Sequence, residues 1–242
     1  MSLSANKDTR GHSATTHIGL VRKVNEDSIL VRPDLGLWVV SDGMGGHTGG
    51  DFASQTVVEA LNRLPTGLDP ASVMQEARKA LFEAHEEIKA EAHRRALGTI
   101  GATVVLLVLS EQHFMCLWAG DSRLYRLRQG VVNMISFDHS VVGELVEQGR
   151  LTWAEAGSCT YSNQITRAVG VGEELEIDKR RGDIQPGDRF LLCSDGLSNY
   201  ADEDTLRHYL TGHPIETVAD GLLSVALAGG ASDNVSVIAV EV

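Results

Sequence analysis

The order of strand-like and helix-like segments restricts the fold of this chain more than any other feature. Apolar segments typical of β-strands come first, two helical segments follow, and strands return before a final helix and a final strand. The predicted strands are residues 28–31, 37–40, 103–109, 113–119, 123–128, 189–193 and 234–242. A parallel sheet would require strands and helices to alternate regularly, so this order favours antiparallel sheets with helices packed outside them.

The helical segments carry apolar residues at helical spacing. Residues 51–64 form the first predicted helix, and the second begins at Pro70 with Asp69 as its N-cap. The apolar face of the second helix lies opposite a charged face, so this helix is expected to cover a sheet and to contact water. Residues 139–157 are predicted to be helical but interrupted by glycines, and residues 214–228 form a further predicted helix.

The length of the chain predicts a single domain. Its 242 residues suffice for one substantial core and are few for two. Residues 1–12 are polar and lack the apolar region of a signal peptide, so they are predicted to form a flexible tail before a domain at residues 13–242. Membrane insertion is not expected, because no apolar stretch approaches the length of a membrane span.

Charge and cysteine content argue against several other classes of protein. The formal net charge of −12 repels phosphate backbones, so nucleic acid is not an expected partner. Cys116, Cys159 and Cys193 are far apart in the chain and show no paired spacing, which argues against a disulfide framework or a zinc site. This cysteine content fits a reducing compartment, and a cytoplasmic location is expected.

Acidic residues recur at the points where predicted strands begin or end. These residues are Glu26, Asp27, Asp42, Asp121, Asp195 and Asp233. Asp-Gly is common in turns, and a turn is the simpler explanation of any one Asp-Gly pair. Several carboxylates on rigid strand ends would together suit Mg²⁺ or Mn²⁺, although their spacing alone does not show that they converge.

Eight short motifs occur in the order and with spacing compatible with one known family. They lie at residues 19–28, 41–47, 98–103, 119–123, 138–140, 165–170, 194–197 and 232–236, and include Ser41-Asp42-Gly43-Met44-Gly45-Gly46-His47 and Ser232-Asp233-Asn234. From about residue 16 to residue 242 the chain resembles the metal-dependent protein phosphatases (PPM, or protein phosphatase 2C) in their bacterial form. Any one motif is a weak signal, whereas eight in order are specific.

The resemblance implies an α+β fold, a four-layer α-β-β-α sandwich of two antiparallel sheets flanked by helix pairs, with metals in a cleft at one edge. It implies a serine/threonine protein phosphatase that hydrolyses phosphoserine and phosphothreonine on proteins with a water activated by two Mn²⁺ or Mg²⁺ ions. The implied partners are a phosphorylated protein substrate and a cognate bacterial Ser/Thr kinase system. A monomer is expected.

The resemblance also implies roles for the residues that would bind metal. In this assignment Asp42 bridges two metals, and the carbonyl of Gly43 completes one coordination shell. Asp195 and Asp233 hold the other metal.

The remaining implied roles concern waters, a further metal and the substrate. Glu26 and Asp27 would act on metal-bound waters, and Asp121 would support a third, weaker metal site. Arg22 would bind the substrate phosphate and is predicted, with Asp42, to be catalytic. Without the resemblance, Arg22 would be assigned to a surface salt bridge.

The chain departs from the family pattern in two places. Met44 occupies the position where some members place a histidine as the suspected general acid, and His47 is expected to cap or pack rather than to replace it. Only Asn163 remains of the His-Pro-x-Arg-Asn pattern that often precedes Ile165. Residues 140–164 are predicted to form a mobile flap that sets substrate preference, with an ordinary surface hairpin as the alternative.

Two alternative functions remain open from the sequence. The same site could hydrolyse small phosphate esters, because no substrate-pocket signature is evident. The chain could also be an inactive phosphoprotein-binding module, although the complete set of acidic residues argues against this.

Overall fold

The computed structural model describes residues 10–45, 49–156 and 164–242. The strands are β1 (His12–His17), β2 (Asp27–Arg32), β3 (Leu37–Met44), β4 (Gly101–Ala102), β5 (Val104–Leu109), β6 (His113–Ala119), β7 (Arg123–Arg128), β8 (Val131–Met134), β9 (Asp178–Asp183), β10 (Arg189–Cys193) and β11 (Val235–Glu241). The helices are α1 (Gly50–Asn62), α2 (Pro70–Arg95), α3 (Val141–Glu147), α4 (Trp153–Ala156), α5 (Asp195–Ser198), α6 (Glu203–Gly212) and α7 (Ile215–Ala228).

The strands form two antiparallel sheets. The first sheet has the order β1-β11-β10-β7-β8, and the second has the order β2-β3-β5-β6-β9, with β4 paired to the end of β3. The prediction of antiparallel sheets is therefore confirmed.

Three apolar layers hold the sheets and helices together. Trp38 and Phe190 lie in a core between the two sheets. Leu81 of α2 belongs to a second core against one outer face, and Leu222 of α7 belongs to a third core against the other outer face. The continuous apolar run of β5 is explained by this arrangement, because its alternate residues enter the inter-sheet core and the α1/α2 core. The predicted four-layer α-β-β-α sandwich is confirmed.

Helix ends agree with the local sequence signals. The Asp69 side chain accepts hydrogen bonds from the backbone N–H groups of Ala71 and Ser72, and Pro70 occupies the first turn of α2. The interrupted helical segment consists of α3 and α4, with Gly149 between them at φ +68°. Gly157, the second predicted interruption, lies outside the described residues.

The structure contains further elements that the sequence pattern does not predict: β1, β4, β8, β9, α5 and α6. β1 begins at His12, and the Arg10 side chain donates to the carbonyl of Ser110, so Arg10 and His12 of the predicted tail contact the domain that was predicted to begin at residue 13. Across the described ranges, none of the helices has both the length and the apolar character needed to cross a membrane.

Antiparallel pairing gathers strand ends at one edge of the sandwich. In the second sheet, Asp27 at the start of β2 pairs with Asp42 near the end of β3. In the first sheet, Cys193 at the end of β10 pairs with Arg123 at the start of β7 and with Val237 of β11. The acidic residues next to these strand ends are thereby brought to the same edge.

Candidate metal centre and catalytic site

A cavity of about 450 Å³ opens at this edge of the sandwich. Seven of the predicted site residues line it: Arg22, Glu26, Asp42, Gly43, Asp121, Asp195 and Asp233. Asp27, the eighth, is buried next to them, because its β2 position pairs with Asp42. The structure therefore brings all the predicted site residues to one place.

The backbone at Asp42 is fixed from the neighbouring strand. The Asp42 N–H donates to Thr103 Oγ1 at 3.0 Å, and the Thr103 N–H donates to the Asp42 carbonyl at 2.8 Å. Thr103 Oγ1 also lies 2.7 Å from Ser122 Oγ, next to Asp121. One threonine thus joins the segments that carry Asp42 and Asp121.

Gly43 allows an approach of backbones that a side chain would prevent. A Cβ atom at this position would lie 2.0 Å from the carbonyl oxygen of Gly50. The Gly43 N–H donates to the carbonyl of Glu26 at 3.1 Å, which ties the end of β3 to the start of β2. Glycine after Asp42 is therefore a packing requirement of the site.

Asp27 and Asp195 are linked through Ser194. Ser194 Oγ donates to Asp27 Oδ2 at 2.8 Å and accepts from the Ser236 N–H at 3.0 Å. Ser194 immediately precedes Asp195, so the same residue positions acids from both sheets.

Asn234 holds the loop between β1 and β2. Its Oδ1 accepts from the Glu26 N–H at 2.7 Å, and its Nδ2 donates to the carbonyls of Ile18 and Val24 at 2.9 and 3.0 Å. Within this loop, Arg22 Nη2 lies 2.6 Å from Asp233 Oδ2. The salt bridge that the sequence left as the alternative for Arg22 is thus present, and it lies in the cavity.

Burial and mutual repulsion raise the pKa values of the clustered acids. Burial is the main cause of a pKa of about 7 for Asp27 and about 6 for Asp195, and neighbouring carboxylates add to both. The pKa values of Asp42 and Asp121 are also raised well above that of an ordinary aspartate, first by burial and then by nearby carboxylates. The surrounding protein thus favours the protonated forms of these aspartates over their ionised forms more than water does.

The cluster fits hard divalent cations. Asp27 Oδ1 and Asp195 Oδ1 are buried and have no hydrogen-bond partner. Among the described residues, no three His, Cys, Asp or Glu side chains are close enough together to hold a metal ion as they stand. Asp233 is instead paired with Arg22, and Asp27 accepts a hydrogen bond from Ser194. Oxygen ligands with unsatisfied negative charge are nevertheless those that Mg²⁺ and Mn²⁺ prefer, so the residues present suit such ions.

The family model described as protein phosphatase 2C matches residues 17–217 of the chain, which includes almost all of this cluster. The chain belongs to the protein phosphatase 2C family. Relatives of this chain are named as serine/threonine phosphatases.

Solved structures of similar proteins have the same fold. PppA, a key regulatory component of T6SS in Pseudomonas aeruginosa, is 42% identical, with a TM-score of 0.89 over 96% of this chain and 97% of that chain. The catalytic domain of the serine/threonine protein phosphatase PstP in complex with two manganese ions is 34% identical, with a TM-score of 0.83 over 96% of this chain and 97% of that chain.

Curated relatives differ in how much of their length this phosphatase domain spans. The serine/threonine phosphatase stp of Listeria monocytogenes is 32% identical, and the match covers 93% of each chain. PstP of Mycobacterium tuberculosis is 34% identical over 96% of this chain, but this chain spans only 45% of PstP. The chain therefore spans about half the length of that relative.

Three residues that support the phosphatase site were not assigned roles from the sequence. Thr103, Ser194 and Asn234 each lie within a family motif, so the motifs marked their importance but not their contacts. Their roles depend on partners distant in sequence, and those partners become apparent only in the folded chain.

Several predictions near the cavity concern residues that the structure does not describe. His47, the segment 159–163 and part of the predicted flap 140–164 lie outside the described residues. Met44 and Ile165, which are described, both line the cavity. The predicted influence of the flap on substrate preference remains a prediction.

Proposed function

We propose that this chain contains the catalytic domain of a phosphatase that removes phosphate from phosphoserine and phosphothreonine on proteins. One observation carries this proposal: Asp195, whose Oδ1 is buried without a hydrogen-bond partner, lines the same cavity as Arg22, whose side chain is 48% exposed. The unpartnered Oδ1 of Asp27 is buried next to this cavity. A cavity that combines a cation-binding cluster with an accessible guanidinium is suited to a phosphate ester.

The metal-binding residues in this proposal are Glu26, Asp27, Asp42, Gly43, Asp195 and Asp233, with Asp121 at a third site. Two Mn²⁺ or Mg²⁺ ions held there would supply Lewis-acid charge and a more acidic water as nucleophile. The two manganese ions in the PstP catalytic domain support this assignment. The buried oxygens of Asp27 and Asp195 support it independently.

Arg22 would bind and orient the phosphoryl group. In the structure it donates to Asp233, and its pKa is raised chiefly by that hydrogen bond, so it stays protonated throughout the working pH range. A phosphate in the cavity would offer this guanidinium paired oxygen acceptors in place of the single carboxylate oxygen. Asp42 would remain in place during this exchange, because its backbone is fixed by Thr103.

The described cysteines are unsuited to covalent catalysis. Cys116 and Cys193 are both buried, and burial raises the pKa of Cys193 to about 12 and that of Cys116 further. A thiolate is the form that attacks phosphorus, and neither residue would supply it near neutral pH. This favours direct attack by water.

The proposal extends to the cellular setting of the enzyme. Its partners would be phosphorylated proteins and the Ser/Thr kinase system that produces them, and it would act as a cytoplasmic monomer. The description of PppA as a key regulatory component of T6SS supports a regulatory role of this kind. Light scattering on the purified chain would test the monomer.

Hydrolysis of a phosphothreonine peptide with and without Mn²⁺ tests the proposed function. We expect activity only with the metal. We expect Asp42→Ala and Asp195→Ala to lower kcat/KM by about 100-fold or more, because each removes a carboxylate that would hold the metal ions, whose positive charge stabilises the transition state. Asp220→Ala, at an exposed aspartate of α7, is the matched control and should retain wild-type activity.

Other outcomes would support the alternatives. Efficient turnover of nucleotides and sugar phosphates without turnover of phosphopeptides would indicate a phosphatase of small esters. A wild-type chain that binds phosphopeptides but hydrolyses none with any divalent metal would indicate an inactive binding module.

A further inference from the structure

Exposed apolar side chains are concentrated beside the cavity. Among the described residues, five large apolar side chains are exposed, and three of them are Leu20, Val21 and Val24, at 62%, 66% and 41%. Val21 and Val24 line the cavity and Leu20 is adjacent to Val21 in the chain, whereas Phe82 and Val131 do not line it. Single exposed apolar residues are normal on proteins, whereas a cluster marks a contact surface.

The segment that carries this cluster, residues 20–24, is fixed at both ends. The Leu20 N–H donates to the carbonyl of Ala231 at 2.8 Å, and the Val24 carbonyl accepts from Asn234 at 3.0 Å. Just before the segment, Gly19 has φ +80°, and a Cβ atom there would lie 2.2 Å from the carbonyl oxygen of Asp233. The exposure of these side chains is therefore a property of a fixed loop.

Positive charge lies between the apolar side chains. Arg22 and Lys23 occupy the middle of the segment, and both line the cavity. Arg22 pairs with Asp233, whereas Lys23 has no ion-pair partner in the part of the chain that the structure describes. A ligand that matches this surface carries negative charge and an aliphatic side chain close together.

We propose that residues 20–24 form a docking loop that selects phosphorylated segments with an aliphatic side chain next to the phosphoresidue. This inference rests on the proposed phosphatase function and adds a substrate class to it. Val21 and Val24 line the same cavity as Asp42 and Asp195, so a phosphoresidue bound there places its chain neighbours over the loop. A second copy of the chain matches the loop less well, because each copy carries a net charge of −12.

Paired phosphothreonine peptides test the docking loop. The full chain with Mn²⁺ is assayed on peptides that are identical except for Leu or Ser on each side of the phosphothreonine. We expect the wild type to favour the Leu peptide by about tenfold in kcat/KM, which is typical of discrimination by apolar contacts. The Leu20→Ser/Val21→Ser double variant, and separately Val24→Ser, should bring this ratio close to one.

The matched control is Val131→Ser, which replaces a valine on β8 that is also exposed, at 54%, and should keep the wild-type ratio. A wild-type ratio near one, or a ratio that the loop variants leave unchanged, would overturn the docking-loop proposal. Metal-dependent hydrolysis of the Ser peptide would still support the proposed phosphatase function in that case. If the wild type hydrolyses neither peptide, both the docking-loop proposal and the proposed phosphatase function are overturned. A wild-type dimer that the double variant converts to a monomer in light scattering would identify the loop as a dimer interface instead.

Discussion

Asn234 shows how a residue outside the acidic cluster can organise the candidate site. Its side chain bonds to three backbone groups in the segment between β1 and β2, at Ile18, Val24 and Glu26. That segment carries Arg22, and it has no regular secondary structure of its own that could hold it. The position of the arginine relative to Asp233 therefore depends on a side chain at the start of another strand.

We expect Asn234→Ala to lower the free energy of unfolding by about 2–3 kcal/mol, because Asn234 is buried and its loss leaves backbone groups without partners. Phosphopeptide kcat/KM should also fall by about tenfold or more, because Arg22 loses its fixed position. Urea denaturation and steady-state kinetics measure the two effects. Asn133→Ala, at an exposed asparagine of β8, is the control, and an equal effect of both substitutions would contradict this role.

The sequence predicted the acidic cluster but not the contacts that position it. Asp42 and Asp195 were recognisable because each ends an apolar run and precedes a glycine. The bond from Ser194 to Asp27 joins residues 167 positions apart, and no local pattern encodes such a pair. The acidic residues that gather at the cavity were thus identifiable from motifs, whereas their hydrogen-bond partners required the fold.

Among the elements, buried strands were predictable, whereas three of the four edge strands, β1, β8 and β9, were not. The interior strand β5 is apolar throughout because it is buried on both faces. The edge strand β9 has the sequence DKRRGD and is largely exposed, and the edge strand β1 has the sequence HSATTH. Polar edges discourage pairing with other chains, and for the same reason they lack the apolar alternation that identifies a strand.

The cap of α2 provides a test at the level of one element. Asp69→Ala should modestly lower the free energy of unfolding, because two backbone N–H groups at the start of α2 lose their acceptor. Phosphatase activity at moderate temperature should be unchanged, since α2 contributes no residue of the candidate site. Glu87→Ala on the exposed face of α2 is the control, and thermal unfolding of both variants would show whether the cap is the cause.

At the scale of the whole molecule, the acidic cluster opposes the stability of the metal-free fold. The folded-state pKa values of Asp27 and Asp195 lie above the ordinary value of 3.8, so the fold favours their protonated forms. This contribution to stability is complete below the unfolded-state pKa and is lost as the pH rises through about 6 to 7. A cation that binds the ionised carboxylates would restore the free energy of unfolding that is lost at higher pH.

We therefore expect Asp27→Asn to stabilise the protein relative to wild type in EDTA at about pH 8, and to have little such effect at about pH 4. Addition of Mn²⁺ at the higher pH should raise the Tm of the wild type more than that of the variant. Urea denaturation at both pH values and thermal scans with and without metal are the measurements. Asp220→Asn is the control, and a stability difference independent of pH would contradict the prediction.

Asp27 and Asp195, each with a buried oxygen that lacks a hydrogen-bond partner, are also expected to favour catalysis at the expense of folding stability. Selection for activity would keep these aspartates, whereas selection for a stable fold alone would replace them. A gene copy released from the need for activity would gain stability by replacing either aspartate, and it would keep the three apolar layers intact. Duplicates in such a lineage should therefore lose these acids early and persist as folded proteins without catalysis. Laboratory evolution for heat resistance alone should follow the same course, with substitutions appearing first in the cavity rather than in the core.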